Sequence, residues 1–170
     1  TNYSIIVKDV NGCTFSSNIF LSEPTEILFN VTSSDFNGFG VSCFGADDGE
    51  IIIFAPSGGT PNYDYSINGG VSYSNSLIYN NLTSGNYVVT VRDIIGCTSD
   101  TTVVITEPNQ FDVQYTSTSN YNGVNVSCYG SCDGSISIAQ SNGVGVVSYS
   151  LSGSVNQTAP IFSGLCGQIS

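Results

Sequence analysis

The sequence contains no histidine, methionine or tryptophan, and Lys8 and Arg92 are its only basic residues among 170. Nucleic acid is bound through clusters of lysine and arginine that replace its counterions, so a nucleic-acid partner is excluded. Without histidine, the usual base that activates a nucleophile is missing, which argues against an enzyme. The formal charge of −11 disfavours an anionic membrane surface, and no apolar run reaches the roughly 18 residues that a spanning helix needs.

Charged residues are scarce as well. They make up 9% of the chain, against roughly 25% in an average soluble domain. The hydrophobic fraction is 40%, with ten tyrosines and nine phenylalanines, which is enough to build folded cores. Because the chain begins with Thr1 and has no methionine, we expect an internal fragment of a longer secreted surface protein.

An internal repeat organises the chain. Residues 2–14, with the pattern Asn-Tyr-x-x-x-Val-x-Asp-x-x-Gly-Cys-Thr, return 84 residues later, and the pair Glu-Pro at 23–24 returns at 107–108. The segment Val-Ser-Cys-Phe-Gly at 41–45 returns as Val-Ser-Cys-Tyr-Gly, 85 residues later. This register predicts the C-terminal part of one repeat (1–24), a complete repeat (25–108) and about three quarters of a third (109–170), with a Glu-Pro linker at each junction.

Short apolar or alternating runs in the complete repeat are separated by turn residues such as Asp48-Gly49 and Asn68-Gly69-Gly70. This pattern predicts strands rather than helices. The expected fold is all-β, with tandem immunoglobulin-like or fibronectin-like β-sandwich repeats of about 84 residues. The predicted strands are 27–32, 50–54, 63–67, 72–79, 87–93 and 101–106.

Cysteine spacing predicts disulfides and therefore an oxidising, extracellular compartment. In the complete repeat we expect a bond between Cys43 and Cys97, which would stabilise the module by about 4 kcal/mol through loop closure. Cys13 is the counterpart of Cys97, and Cys128 is the counterpart of Cys43. Their partners are therefore expected outside the fragment.

Two further cysteines, Cys132 and Cys166, occur in the third repeat alone, where they align with Asp47 and Thr83. Because these two positions change together, they predict a second disulfide. The alternative is a metal site at Cys128 and Cys132, but two or three thiols fall short of the four ligands that structural zinc requires.

An acidic cluster, Asp47, Asp48 and Glu50, offers carboxylates of the kind that bind calcium. The third repeat has Asp133 alone at the matching place, and no calcium-loop motif is present. We therefore interpret the cluster as a solvated turn and expect no cofactor, with calcium as the alternative.

Other polar and aromatic residues have structural interpretations. The acid Asp93 beside Arg92 is expected to be a surface charge at a strand end. Alternation places Tyr63, Tyr65 and Ile67 on one face of a strand, which favours a core role over a sugar-stacking platform. The sequence leaves the roles of Tyr73 and Tyr79 open.

Several ordered motifs together resemble the SprB repeat: residues 41–49, 57–66, 82–93, 96–98 and 106–108. Residues 127–134 and 164–167 are similar to the variant of that repeat with an extra cysteine pair. The triplet Asp100-Thr101-Thr102 also resembles a bacterial O-glycosylation motif, which makes Thr101 a candidate acceptor.

The resemblance implies a large cell-surface adhesin of Bacteroidota, exported by type IX secretion and attached to the outer membrane, with gliding motility as a further role. We expect a structural stalk segment with neighbouring repeats as partners, and no enzyme. An external surface or polysaccharide, and outer-membrane motility or secretion components, are the further partners implied. The alternatives are repeats that themselves bind polysaccharide weakly and multivalently, or a self-associating surface fibre.

Overall fold

A computed structural model describes residues 1–152 and 154–167. These described residues form eleven β-strands and no helix, and thus no helix that could cross a membrane. The strands are β1 Asn2–Lys8, β2 Thr14–Phe20, β3 Leu28–Ser33, β4 Gly49–Ser57, β5 Tyr63–Ser66, β6 Ile78–Leu82, β7 Gly85–Asp93, β8 Thr98–Ile105, β9 Asp112–Ser117, β10 Gly134–Ser141 and β11 Ile161–Leu165.

The strands pair into one hairpin and three small sheets. Strands β1 and β2 form an antiparallel hairpin in which Tyr3 faces Ile19. Three-stranded sheets have the orders β3-β4-β6 and β5-β7-β8, and Tyr65 of β5 faces Val91 of β7 in an antiparallel pair. The last sheet, β11-β10-β9, is antiparallel throughout. By the repeat register, β9, β10 and β11 correspond to β3, β4 and β6, so the two repeats share this strand order.

Each of two compact units has its own buried side chains. The first unit comprises Thr1–Thr32, Ile52–Ile78 and Tyr87–Val103, and the second comprises Ser33–Ile51, Tyr79–Asn86 and Val104–Ser170. The buried apolar residues of the first unit are Ile27, Ile53, Tyr65, Val89 and Val91. Those of the second are Val41, Ile51, Ile105 and Phe162.

Strand β4 shows why these residues form a sheet. Gly49, Ile51 and Ile53 are buried, whereas the residues between them are partly exposed. This period of two is the side-chain alternation of a β-strand. The predicted all-β fold is confirmed, and the antiparallel sheets are consistent with a sandwich. The repeat length of about 84 residues and the division into 1–24, 25–108 and 109–170 stay sequence predictions.

A similar turn joins β1 to β2 and β7 to β8. In the second of these, the N–H of Gly96 donates to the carbonyl of Asp93, and the N–H of Asp93 donates to the carbonyl of Cys97. Gly96 has φ of 99° and Gly12, its counterpart, has φ of 92°, values that glycine adopts without strain. The repeated Gly-Cys pair therefore begins with a residue that the turn requires.

The predicted strand 72–79 is wrong. Residues after β5 form a loop in which the Asn68 side-chain oxygen accepts the N–H of Ser72, while the N–H of Tyr65 donates to the carbonyl of Ser74 in an isolated bridge. Short polar side chains that bond nearby backbone groups compete with strand pairing. The chain returns to a sheet at β6.

Candidate functional site

The disulfide of the third repeat joins Cys132 to Cys166, the pair that the repeat alignment predicts. Cys132 precedes β10, and Cys166 directly follows β11. Because Gly134 and Leu165 are partners in the antiparallel register of these strands, the bond ties together two strand ends that are already neighbours. It closes a covalent loop between residues that are 34 positions apart.

The predicted bond between Cys43 and Cys97 is not present, and both residues are exposed free thiols. Cys97 directly precedes β8, whereas the backbone of Val41, near Cys43, is hydrogen-bonded to Thr106 just after β8 ends. An extended strand of eight residues spans about 26 Å, and a disulfide needs Cα atoms within about 7 Å. The repeat register found two corresponding cysteines but did not show at which end of a strand each would lie.

Cys13 and Cys128 are exposed free thiols as well. Their predicted partners outside the 170 residues stay a prediction. Because their counterparts Cys97 and Cys43 are unbonded, the shared cysteines of these repeats do not act as a disulfide staple in this structure. The extra pair of the third repeat has that role.

The acidic cluster at 47–50 is a turn clamp. Asp48 accepts the backbone N–H of Ser42 at 3.0 Å, and the hydroxyl and N–H of Ser42 lower the pKa of the Asp48 carboxyl below 3.8. The N–H of Glu50 donates to another residue's hydroxyl, and Asp47 is exposed. In the part of the chain that the structure describes, no group of three or more acidic, histidine or cysteine residues is placed to hold a metal ion. Asp47, Asp48 and Glu50 are therefore not brought together as a calcium site.

The same clamp recurs in the third repeat. Asp133, the counterpart of Asp48, accepts the N–H of Ser127 at 3.0 Å. Hydrogen bonds from the Ser127 hydroxyl and then its N–H lower the pKa of the Asp133 carboxyl in the same way. The motif Ser-Cys-aromatic-Gly-x-x-Asp-Gly thus encodes a closed loop, which we call the cysteine loop (residues 42–48 and 127–133).

The cysteine loop of the complete repeat is anchored to the Thr-Glu-Pro segment at 106–108. The N–H groups of Gly40 and Val41 donate to the carbonyl of Thr106 at 2.9 and 3.1 Å. The N–H of Gly45 donates to the Glu107 carboxylate at 2.8 Å. This glutamate, which the sequence suggested as part of a linker, therefore binds the loop, and a charge-assisted bond of this kind is stronger than a neutral one.

The sequence interpretation of Asp93 as a surface charge is wrong. Its side chain is buried, and one carboxylate oxygen accepts the N–H groups of Ile95, Gly96 and Cys97 at 2.8 to 3.0 Å. The other oxygen accepts the N–H of Thr60 at 2.9 Å, and these bonds, that from Thr60 first, lower the pKa of the carboxyl below 3.8. The repeated spacing Asp-x-x-Gly-Cys is the sequence signal that could have revealed this turn clamp.

Arg92 lies on the surface between an acid and an aromatic ring. Its guanidinium is 2.9 Å from the carboxylate of Asp64 and 3.8 Å from the ring centre of Tyr73. Both members of the ion pair are substantially exposed, so the pair contributes little to stability. The cation–π contact gives Tyr73, whose role the sequence left open, a structural interaction.

The tyrosines of β5 are also used within the fold. Tyr65 is buried, and the Tyr63 hydroxyl donates to the carbonyl of Gly58 at 2.6 Å. Ile67 is half-buried, in agreement with the face that alternation assigned to all three. Thr101 is an exposed residue of β8, and its glycosylation stays a prediction.

Two copies of the clamped cysteine loop fall within residues that match a known family. The family model of the SprB repeat matches residues 41–72 and 120–156. This chain contains SprB repeats. No curated protein and no solved structure matches it. The SprB repeat occurs in cell-surface adhesins, so the family suggests a segment of a surface adhesin, and the family and the all-β fold point to a structural repeat rather than an enzyme.

Proposed function

We propose that this chain is a stalk segment of a large secreted adhesin, in which SprB repeats hold an adhesive region away from the cell and transmit force. The observation that carries this proposal is the second occurrence of the clamped cysteine loop, at residues 127–133, within a second SprB match. A segment whose function is reach and strength needs repetition of one stable unit rather than a unique pocket.

The interactions found in each repeat suit such a load. Buried carboxylates and backbone hydrogen bonds close the loops, and the bond between Cys132 and Cys166 prevents the enclosed residues from being extended. A covalent bond keeps this effect under a force that separates hydrogen-bonded strands. Neighbouring repeats are the first partners in this proposal, and no cofactor is needed.

The proposed location is the outer surface of a cell with an outer membrane, after export by type IX secretion. The family resemblance supports this location, and the disulfide agrees with an oxidising compartment. Surface attachment is then the role of the whole adhesin, and gliding motility is the finer role that the resemblance to SprB repeats favours.

Binding of polysaccharide by the repeats themselves is the second candidate. Tyr115 and Tyr129 are largely exposed in the third repeat, and aromatic faces of this kind can stack on sugars. Against it, Tyr63, Tyr65 and Tyr73 already have contacts within the fold. A self-associating fibre is the third candidate, supported by the large exposed apolar side chains of β1 and β2.

A glycan array separates the stalk from the polysaccharide binder. The chain is presented once as a monomer and once as a streptavidin tetramer, because avidity would reveal weak sites. The stalk proposal predicts no binding at either valency. Tetramer binding that is lost on Tyr129→Ala but kept in a variant with Tyr73→Ala, whose ring stacks under Arg92, would replace it with glycan binding.

A labelling experiment tests the location separately. Antibodies against the chain should label intact, unpermeabilised cells of the source organism, and external protease should remove the label. Labelling that requires permeabilised cells would contradict a surface adhesin.

A further inference from the structure

The hairpin β1–β2 carries apolar side chains with nothing packed on them. By the repeat register it corresponds to β7–β8 of the complete repeat, and residues 21–23 correspond to 105–107. In β7, Val89 and Val91 are each 0% exposed, whereas their counterparts Ile5 and Val7 are 43% and 61% exposed.

The residue that follows the hairpin behaves in the same way. Leu21 is 59% exposed, and its counterpart Ile105 is 1% exposed. The hairpin with residues 21–23 is therefore an unpartnered copy of a segment that is buried in the complete repeat.

The third repeat has an open groove where the complete repeat has a closed core. Val126 and Ile136 are half-buried, whereas their counterparts Val41 and Ile51 are fully buried. These two residues line a groove of about 750 Å³, together with residues 123–125, Gly134 and Leu165 among others. No strand within 1–152 or 154–167 fills it.

The complete repeat shows what fills the corresponding space. The Ile105 side chain lies so close to Gly40 and Gly49 that a Cβ added to either would be 2.7 or 3.2 Å from it. The next two residues, Thr106 and Glu107, accept the N–H groups of Val41 and Gly45. Gly134 and Gly130 are the counterparts of Gly49 and Gly45 in the open groove.

We propose that the β1–β2 hairpin of one copy of this chain docks in the third-repeat groove of a second copy. In this complex Leu21 takes the place of Ile105 against Gly134. The Ser22 carbonyl accepts the N–H of Val126, and the Glu23 carboxylate accepts the N–H of Gly130. Each interaction has its counterpart within the complete repeat.

Because the hairpin and the groove are different surfaces, the association is head-to-tail. Every added copy presents a new free hairpin and a new free groove, so the assembly grows as an open chain rather than as a closed dimer. The inference rests on these two surfaces and does not depend on the proposed stalk function.

The test is sedimentation velocity of the whole chain from micromolar to near-millimolar concentration. The wild-type chain should form species larger than a monomer in proportion to concentration, and a non-reducing gel should show them to be non-covalent. Leu21→Asp places a charge on the hairpin segment, and Val124→Asp places one at the groove, where Val124 is exposed. Val10→Asp is the matched control, because Val10 is 99% exposed in the hairpin turn and its counterpart Ile94 is exposed too.

Each single variant should be monomeric, and Val10→Asp should assemble like the wild type. An equimolar mixture of Leu21→Asp and Val124→Asp chains should give a dimer that grows no further, because one supplies the groove and the other the hairpin. That dimer also shows that both variants are folded. A wild-type chain that stays monomeric, or a mixture that stays monomeric while the wild type assembles, would overturn the proposal.

Discussion

The disulfide of the third repeat gives the sharpest prediction, which is the effect of replacing both Cys132 and Cys166 by alanine. The two residues are 34 positions apart. Loop-closure entropy for that length is about 13 cal/mol/K, which gives about 4 kcal/mol at 25 °C. Both residues flank strands of one antiparallel sheet, so the loss should be local to β9, β10 and β11.

Hydrogen exchange measured by mass spectrometry is the suitable assay, because two compact units need not unfold in one transition. Amides of β10 should exchange about a thousandfold faster in the double variant, since each 1.4 kcal/mol is a factor of ten. Reducing the wild-type chain should give the same result.

The matched control replaces Cys43 and Cys97 by alanine. Both thiols are exposed and unbonded, so stability should change by less than about 0.5 kcal/mol. Unchanged exchange in the Cys132 and Cys166 variant would refute the loop-closure argument. A loss of several kcal/mol in the control would show that Cys43 and Cys97 are bonded after all.

The remaining predictions concern the core, the buried acid, a close glycine contact and metal. Val89→Ala should lower the free energy of unfolding by about 2 kcal/mol in urea denaturation, whereas the partly exposed neighbour Val88→Ala should cost under about 1 kcal/mol. Because folding lowers the pKa of Asp93 below 3.8, its stabilisation is present above that pH and lost as pH falls below it; Asp93→Asn should lower stability at pH 7 and weaken the acid dependence of the thermal midpoint. Gly58→Ala would place a Cβ 1.8 Å from a backbone oxygen and should destabilise the fold by at least about 2 kcal/mol, more than Gly38→Ala, which has a similar positive φ but open space. Adding EDTA should leave the thermal midpoint unchanged, and a drop of several degrees would support the calcium alternative.

Local pattern predicted the parts of the fold that depend on side-chain alternation and on the repeat register. Ile51 and Ile53 alternate inward as their spacing requires, and the pair Cys132 and Cys166 was found because two positions change together between repeats. Both inferences compare residues that adjacent strands or equivalent positions bring into register, so no knowledge of the tertiary fold was needed.

Long-range placement could not be predicted in the same way. The Cys43 and Cys97 thiols were paired from sequence position alone, but the hydrogen bonds of Thr106 place the loop of Cys43 near one end of β8 while Cys97 precedes the other. An acid at a strand end is usually exposed, and the burial of Asp93 depends on Thr60, which is 33 residues away in the sequence. Such a contact is visible only once the sheets have formed.

Single-molecule force spectroscopy of the whole chain, pulled from its two ends, tests the load-bearing proposal most directly. The account predicts discrete unfolding events at measurable force. It also predicts that reduction lengthens the fully extended chain by about 12 nm, because the disulfide hides residues that are 34 positions apart, at about 3.5 Å each. Extension without force peaks, or equal length before and after reduction, would contradict a disulfide-stapled stalk.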